Sequence, residues 1–197
     1  LQAFGNLALH RDPRHIIVAL VDGLGAVQLA EHGAGTPRLC GMREIGPLEA
    51  PFPSSTCVSL TSLGTGLPPG MHGIVGTSFR LDDGSVLAPL SWGGDPNPVA
   101  TQPESTVLER AASAGVLVTS AAPAAHRSSG LTRAALRGGE YPGADTLPAR
   151  LSVTATAIGR ARAGVVVEAA DDEHVLAGAG AVGHELAVVV DRHAHRV

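Results

Sequence analysis

The chain is poor in aromatic residues and in cysteine. Aromatic residues make up only 3% of its 197 residues, so aliphatic side chains must fill any core, and the 44% hydrophobic content is sufficient for one. Two cysteines are too few for a disulfide framework in a chain of this length, and we expect Cys40 and Cys57 to be free and buried. This composition predicts a single globular domain over residues 1–197.

The chain also lacks a basic field and a long apolar run. Its formal net charge is −4, and its 14 basic residues are arginines scattered singly, with no lysine, which argues against nucleic-acid binding. No segment reaches the roughly 18 apolar residues of a membrane span, and no basic region precedes an apolar one at the N-terminus. We therefore expect no membrane segment and a cytoplasmic location. The sequence begins at Leu1 rather than Met, so the expected location and the expected lack of a membrane segment apply to residues 1–197 alone.

A cluster of hydroxyl groups precedes a predicted helix. Ser54, Ser55 and Thr56 stand directly before apolar residues at helical spacing, which predicts a helix over about residues 56–63. The unpaired N–H groups and the dipole at a helix start favour negative charge. A hydroxyl placed there can act as a nucleophile, and a phosphoryl oxygen can be held beside it. The alternative is that these hydroxyls only cap the helix.

Two apolar runs of the buried-strand type end in an aspartate. Residues 16–21 lead into Asp22, and residues 186–190 lead into Asp191, with His195 four positions further on. A carboxylate at the carboxyl end of a buried strand lies where open α/β sheets bind ligands. An Asp and a His at i and i+4 on a helical turn could share a metal. For Asp22, a simple turn or capping role is the alternative.

Strand and helix patterns alternate along the chain between Gly/Pro-rich turns, which predicts an α/β fold with a mostly parallel sheet. Helices are expected over residues 26–32, 105–115, 131–136 and 147–162, strands over 116–119 and 165–167, a hairpin over 76–90 and a polar loop over 92–103. The helix expected over residues 105–115 is predicted to be capped by Ser105.

His72, in a Gly-rich turn, is interpreted as a structural hydrogen-bonding residue. Gln28 occupies the third glycine position of a dinucleotide-binding fingerprint, which argues against that fold.

Three segments, taken in order and spacing, resemble the nucleotide pyrophosphatase/phosphodiesterase branch of the alkaline phosphatase superfamily. They are Val21-Asp22-Gly23-Leu24-Gly25, Pro51-Phe52-Pro53-Ser54-Ser55-Thr56 and Thr65-Gly66-Leu67-Pro68-Pro69-Gly70-Met71-His72-Gly73-Ile74. Less diagnostic segments extend the resemblance over about residues 14–150. It implies an alkaline-phosphatase-like α/β fold, with helices on both faces of a mostly parallel sheet.

The resemblance implies a hydrolase of phosphodiester or pyrophosphate bonds in small phosphate esters or nucleotides, with two zinc ions. Asp22 would bind one zinc, and Thr56 would touch that zinc and form a covalent phosphothreonine-type intermediate. Ser59 falls where many members carry an asparagine that holds a phosphate oxygen. Asp191 and His195 match the spacing of two further zinc ligands, with Ala194 in place of the usual glycine.

The later metal ligands of the family have no counterpart in this chain. No Asp-His dipeptide is present, so the adjacent ligand pair and the final histidine are missing. We interpret residues 1–197 as an alkaline-phosphatase-like catalytic domain that is incomplete at its C-terminus and inactive alone, with a diverged C-terminal region as the alternative. Two other functions stay open. One is a phosphomonoesterase or phosphonate hydrolase of the same superfamily, and the other is a non-catalytic phosphate-binding module that has lost its metal site.

Overall fold

The computed structural model describes residues 15–22, 27, 30–31, 33–35, 50–160, 164–170 and 186–191. Its strands are β1 (His15–Asp22), β2 (Phe79–Arg80), β3 (Val86–Leu87), β4 (Leu117–Ala121), β5 (Gly164–Ala170) and β6 (Leu186–Asp191). Its helices are α1 (Thr56–Thr65), α2 (Pro69–His72), α3 (Pro98–Thr101), α4 (Val107–Ser113), α5 (Gly130–Ala135) and α6 (Leu147–Arg160). Single turns of 3-10 helix occupy Gly33–Gly35, Pro89–Ser91 and Ala124–His126.

The main sheet has the strand order β4-β5-β1-β6. β4, β5 and β1 run parallel, whereas β6 runs antiparallel to β1. The register pairs Asp22 with Leu186 and Ile17 with Asp191. This small open sheet with its helices fits the predicted α/β class, and the parallel part of the prediction holds for three of the four strands of this sheet.

Helix α1 lies between two apolar clusters. One contains Val18 and Leu20 of β1 together with Leu108 and Val118, and Leu60 and Leu63 of α1 pack against it. The other surrounds Trp92 and includes Cys57, Ile74, Leu87, Leu131, Ala134 and Ala135. Each fully buried aliphatic side chain contributes about 1.5 to 3 kcal/mol, so these contacts hold α1 firmly against the strand that ends in Asp22.

Two glycines allow α5 to approach its neighbours closely. A Cβ at Gly64 of α1 would lie 1.8 Å from the carbonyl oxygen of Ala135, and one at Gly130 would lie 2.2 Å from the ring of Trp92. Trp92 is itself only 3% exposed, and its indole N–H donates to the carbonyl of Pro96 at 2.8 Å. The indole is therefore a core group.

The cap of α4 differs from the sequence expectation. Thr106, rather than Ser105, is the N-cap, and its hydroxyl accepts from the N–H of Glu109 while the Glu109 carboxylate accepts from the N–H of Thr106. Glu109 also pairs with Arg137 at 3.0 Å. The reciprocal Thr-x-x-Glu arrangement is a capping box, a signal that was present in the sequence.

A short helix lies within the segment expected to be a polar loop. α3 begins after Asn97, whose side chain accepts from the N–H groups of Val99 and Ala100, and Pro98 occupies its first position. Asn followed by Pro is a recognisable helix start, so this element was also readable locally.

The other predicted elements are found near their expected bounds, including the hairpin, which turns at Gly84 with φ of 85°. The predicted helix over residues 26–32 lies mostly outside the described residues. Within the described ranges, no helix is long and apolar enough to cross a membrane.

Candidate active site

Thr56 is the first residue of α1, as the sequence predicted. Ser55 precedes it in an extended conformation, with φ of −141° and ψ of 153°, and its carbonyl accepts the first helical hydrogen bond from the N–H of Ser59 at 2.8 Å. The first N–H groups of a helix have no acceptor within it, so they can bind an anion. Thr56 is half-buried at this helix start.

Two buried hydroxyls flank Thr56. Ser55 is 6% exposed and Ser59 is 5% exposed, and neither Oγ has a hydrogen-bond partner within the part of the chain that the structure describes. Ser55 occupies the N-cap position, yet its side chain makes no capping hydrogen bond. A buried hydroxyl without a partner costs about 1 to 3 kcal/mol, so these two groups need an explanation other than helix capping.

Ser59 lies in the first turn of α1, four residues after the N-cap Ser55. The sequence pointed to Ser59 only through the family resemblance, and it did not single out Ser55. No local pattern distinguishes a capping serine from one whose hydroxyl is left unbonded, because the difference lies in the side-chain rotamer and its surroundings.

Cys57 is a poor alternative nucleophile. It is a free thiol with 0% exposure, and burial raises its pKa, so the thiol stays protonated. Its side chain belongs to the apolar cluster around Trp92. The expectation that Cys57 is free and buried is confirmed, while Cys40 lies outside the described residues.

The turn after α1 has a structural role. His72 is completely buried; its Nδ1 accepts from the N–H of Ile74 at 3.1 Å, and its Nε2 lies 2.9 Å from the hydroxyl of Ser62. Because Nδ1 is an acceptor, the neutral ring carries its proton on Nε2 and donates it to Ser62. Burial lowers the pKa of His72, which favours this neutral form. The interpretation of His72 as a structural residue is confirmed.

The predicted metal ligands are not all brought together. Asp22 ends β1, on which α1 packs, whereas Asp191 lies opposite Ile17 near the start of β1. Five residues along a strand span roughly 17 Å, so the backbone positions of the two aspartates lie at opposite ends of the β1–β6 ladder. The sequence could not reveal the distance between the two aspartates. The direction in which β6 runs depends on how it pairs with β1, and β1 is distant from β6 in the chain. His195 lies outside the described residues.

Oxygen ligands are what the described part of this site offers a metal. Thr56 is a hydroxyl residue at the start of α1, the hydroxyls of Ser55 and Ser59 have no partner among the described residues, and Asp22 is the last residue of β1. Among the described residues, no group of three or more His, Cys, Asp or Glu side chains is arranged to hold a metal ion. Oxygen donors alone do not select zinc over other divalent cations, and further ligands are required to complete a zinc site.

Comparison with known proteins gives one family. A family model described as type I phosphodiesterase / nucleotide pyrophosphatase matches residues 16–163, about three quarters of the chain. The match includes β1, α1 and the turn that holds His72. No curated protein matches the chain significantly.

Proposed function

Because the chain belongs to the type I phosphodiesterase / nucleotide pyrophosphatase family, we propose that it hydrolyses phosphodiester or pyrophosphate bonds in small phosphate esters or nucleotides, with Thr56 as the nucleophile. The observation that carries this proposal is the pair of buried hydroxyls, Ser55 and Ser59, which precede and follow Thr56 and have no hydrogen-bond partner in the described ranges of the chain. Hydroxyls in this state are suited to donate to the oxygens of a bound phosphoryl group.

The reaction has two displacements at phosphorus. The Thr56 oxygen attacks phosphorus while the bond to the leaving alcohol or phosphate breaks, which gives a phosphothreonine-type ester. Water then attacks phosphorus, and the bond to Thr56 breaks. In both steps the first N–H groups of α1 and the hydroxyls of Ser55 and Ser59 would hold the non-bridging oxygens, where negative charge accumulates.

We propose that Asp22 and Thr56 bind a zinc ion, as part of a two-zinc site in an alkaline-phosphatase-like arrangement of this sheet. Zinc bound there would lower the pKa of the Thr56 hydroxyl. Asp191 is left out of this proposal because its position in β6 is remote from Asp22. His195 is the remaining ligand candidate from the sequence.

The test of the nucleophile is hydrolysis of bis(p-nitrophenyl) phosphate by zinc-loaded protein. We expect Thr56→Ala to lower kcat/KM by about 1000-fold or more, because no other described group at the helix start replaces the attacking oxygen. Ser54→Ala is the matched control, since Ser54 is an exposed hydroxyl two residues away, and it should stay within about twofold of wild type. Wild-type hydrolysis that Thr56→Ala retains would contradict the assignment of Thr56 as the nucleophile, whereas phosphate binding without hydrolysis by the wild type would favour an incomplete enzyme or a non-catalytic module.

The test of the metal is the zinc content per chain by elemental analysis. We expect Asp22→Ala to lose zinc while its circular dichroism spectrum stays unchanged, because Asp22 is the last residue of its strand. His195→Ala, measured in parallel, shows whether the C-terminal residues add a ligand. Zinc content that is unaffected by Asp22→Ala would contradict the ligand assignment.

A further inference from the structure

A cavity of about 160 Å³ lies at the outer side of β4, and none of the described residues that line it belongs to α1. Its walls are the end of β4, helix α5 and the segment 138–141, and residue Glu140 of that segment pairs in parallel with Thr119. β5 separates β4 from β1, so the cavity is about two strand spacings, roughly 10 Å, to the side of the strand that ends in Asp22.

The charged groups that line this cavity are predominantly basic. Arg127, Arg133 and Arg137 contribute three guanidinium groups, against the single carboxylate of Glu140. Glu140 is paired with Arg160 of α6 at 3.0 Å, so its charge is already balanced. The cavity therefore carries an excess of positive charge.

Arg137 is fully engaged in holding the fold. Its guanidinium bonds to Glu109 and to the carbonyl groups of Gln102, Glu104 and Ala134. Its side chain is only 13% exposed. Its charge is balanced by Glu109, and its donors are already used within the protein.

Arg127 and Arg133 have no carboxylate partner among the described residues. Arg127 lies over the ring of Tyr141, with its guanidinium carbon 5.9 Å from the ring centre. The hydroxyl of Tyr141 in turn donates to the carbonyl of Pro123 at 3.1 Å, so the ring that supports Arg127 is fixed. Stacking on an aromatic ring orients a guanidinium and leaves its N–H donors available.

A hydroxyl donor completes the set. Thr132 of α5 lines the cavity, and its Oγ1 accepts a hydrogen bond from the hydroxyl of Ser129 at 3.0 Å. The proton of Thr132 is therefore left to donate to a ligand. Arg127 lies before α5, whereas Arg133 and Thr132 both belong to α5. Their two guanidinium groups, without a carboxylate partner among the described residues, and the hydroxyl offer donors to several oxygens of a tetrahedral anion.

We propose that this cavity is a second binding site, which takes a small phosphate-type oxyanion between Arg127 and Arg133. The site is independent of the nucleophile Thr56 and of any metal at Asp22. Its volume admits a group much larger than one water molecule, which needs only about 10 to 15 Å³.

The experiment is isothermal titration calorimetry with inorganic phosphate. The protein is Thr56→Ala, freed of metal by a chelator. This background removes the nucleophile and any bound metal, and phosphate still held at the start of α1 would not respond to substitutions in the cavity, so the two proposals fail separately. We expect one phosphate to bind, and Arg133→Gln and Arg127→Gln each to weaken binding about tenfold through the loss of a charge-assisted contact. Arg80→Gln, an exposed arginine on β2, is the matched control and should bind phosphate as well as its parent.

Both cavity arginines are exposed, so their substitution is expected to leave the fold intact, and equal melting temperatures check this. The proposal is overturned if no phosphate binds, or if the affinity is the same in Arg127→Gln, Arg133→Gln and Arg80→Gln.

Discussion

Ser59 combines burial with the absence of a hydrogen-bond partner among the described residues, which is unfavourable for the folded chain alone. If Ser59 serves only to bind a phosphoryl oxygen, stability and activity should respond in opposite directions when its hydroxyl is removed. The same holds for Ser55, whose side chain provides no cap to α1.

We predict that Ser59→Ala leaves the free energy of unfolding unchanged or raises it by about 1 kcal/mol, because an unsatisfied buried hydroxyl is removed. The same variant should lower kcat/KM about tenfold through the loss of one donor to the phosphoryl group. Urea unfolding and phosphodiester hydrolysis measure the two quantities.

Thr61→Val provides the contrast in the same helix. The Thr61 hydroxyl is buried and donates to the carbonyl of Cys57 at 2.7 Å. Its replacement should destabilise by about 1 kcal/mol without a specific effect on KM. A loss of stability in Ser59→Ala, with activity unchanged, would indicate a structural role for Ser59.

His72 makes stability depend on pH. Burial lowers its pKa below the ordinary value of 6.5, so the unfolded chain binds a proton more readily than the folded protein does. The stabilisation from neutral His72 is fully present above pH 6.5, and it is lost as the pH falls from that value toward the folded pKa. Protonation would also place a donor at Nδ1, opposite the N–H of Ile74.

We predict that His72→Asn lowers the free energy of unfolding by about 1 to 3 kcal/mol at pH 7.5 and that this deficit shrinks below pH 6. The Asn oxygen can accept from Ile74, but the contact with Ser62 is lost. Denaturant unfolding across this pH range measures the effect. His126→Asn, at an exposed histidine, is the control and should keep the wild-type pH dependence of stability. If His72→Asn also keeps the wild-type pH dependence, His72 is not the residue that causes it.

The contact between α1 and α5 depends on Gly64. A Cβ at this position would meet the backbone oxygen of Ala135 at 1.8 Å, far inside the van der Waals contact distance, and a backbone atom cannot turn aside. Helix α1 is therefore held close to α5, which forms a wall of the oxyanion cavity, through the glycine at the next-to-last position of α1.

We predict that Gly64→Ala lowers the free energy of unfolding by about 3 kcal/mol or more, despite the higher helix propensity of Ala, because the two helices must separate. Gly159→Ala in α6 is the matched control. Nothing lies within 4 Å of a Cβ there, so it should raise stability by about 0.4 to 1 kcal/mol. A comparable gain in both variants would show that α1 and α5 are not in close contact.

β1 is one of the two inner strands of the described sheet, with β5 on one side and β6 on the other. Both edges of β1 are thus hydrogen-bonded, while Val18 and Leu20 lie in the core. The two-residue strands β2 and β3, in contrast, pair only with each other.

We predict that native-state hydrogen exchange is slowest in β1 and approaches the rate set by global unfolding. The amides of the β2–β3 hairpin should exchange through local opening that requires roughly 3 kcal/mol less free energy. Mass spectrometry of peptic fragments, or NMR, distinguishes the two. Equal protection in both elements would contradict the central position of β1.

Local sequence was sufficient for much of the secondary structure. The apolar run before Asp22, the helix that starts at Thr56 and the hairpin turn at Gly84 follow from periodicity and turn chemistry, which act over a few residues. The cap at Thr106 and helix α3 were also encoded locally, by a capping box and an Asn-Pro start, although the sequence-based prediction placed neither correctly.

The sequence by itself determined the family, through the order and spacing of short motifs, and it placed Thr56 at a helix start. Only the tertiary structure decided the direction of β6, the unbonded state of Ser55 and the meeting of Arg127 with Arg133 at one cavity. The physical reason is that strand direction, burial and side-chain pairing depend on residues distant in the chain, whereas a periodic pattern reports only which face of a segment is apolar.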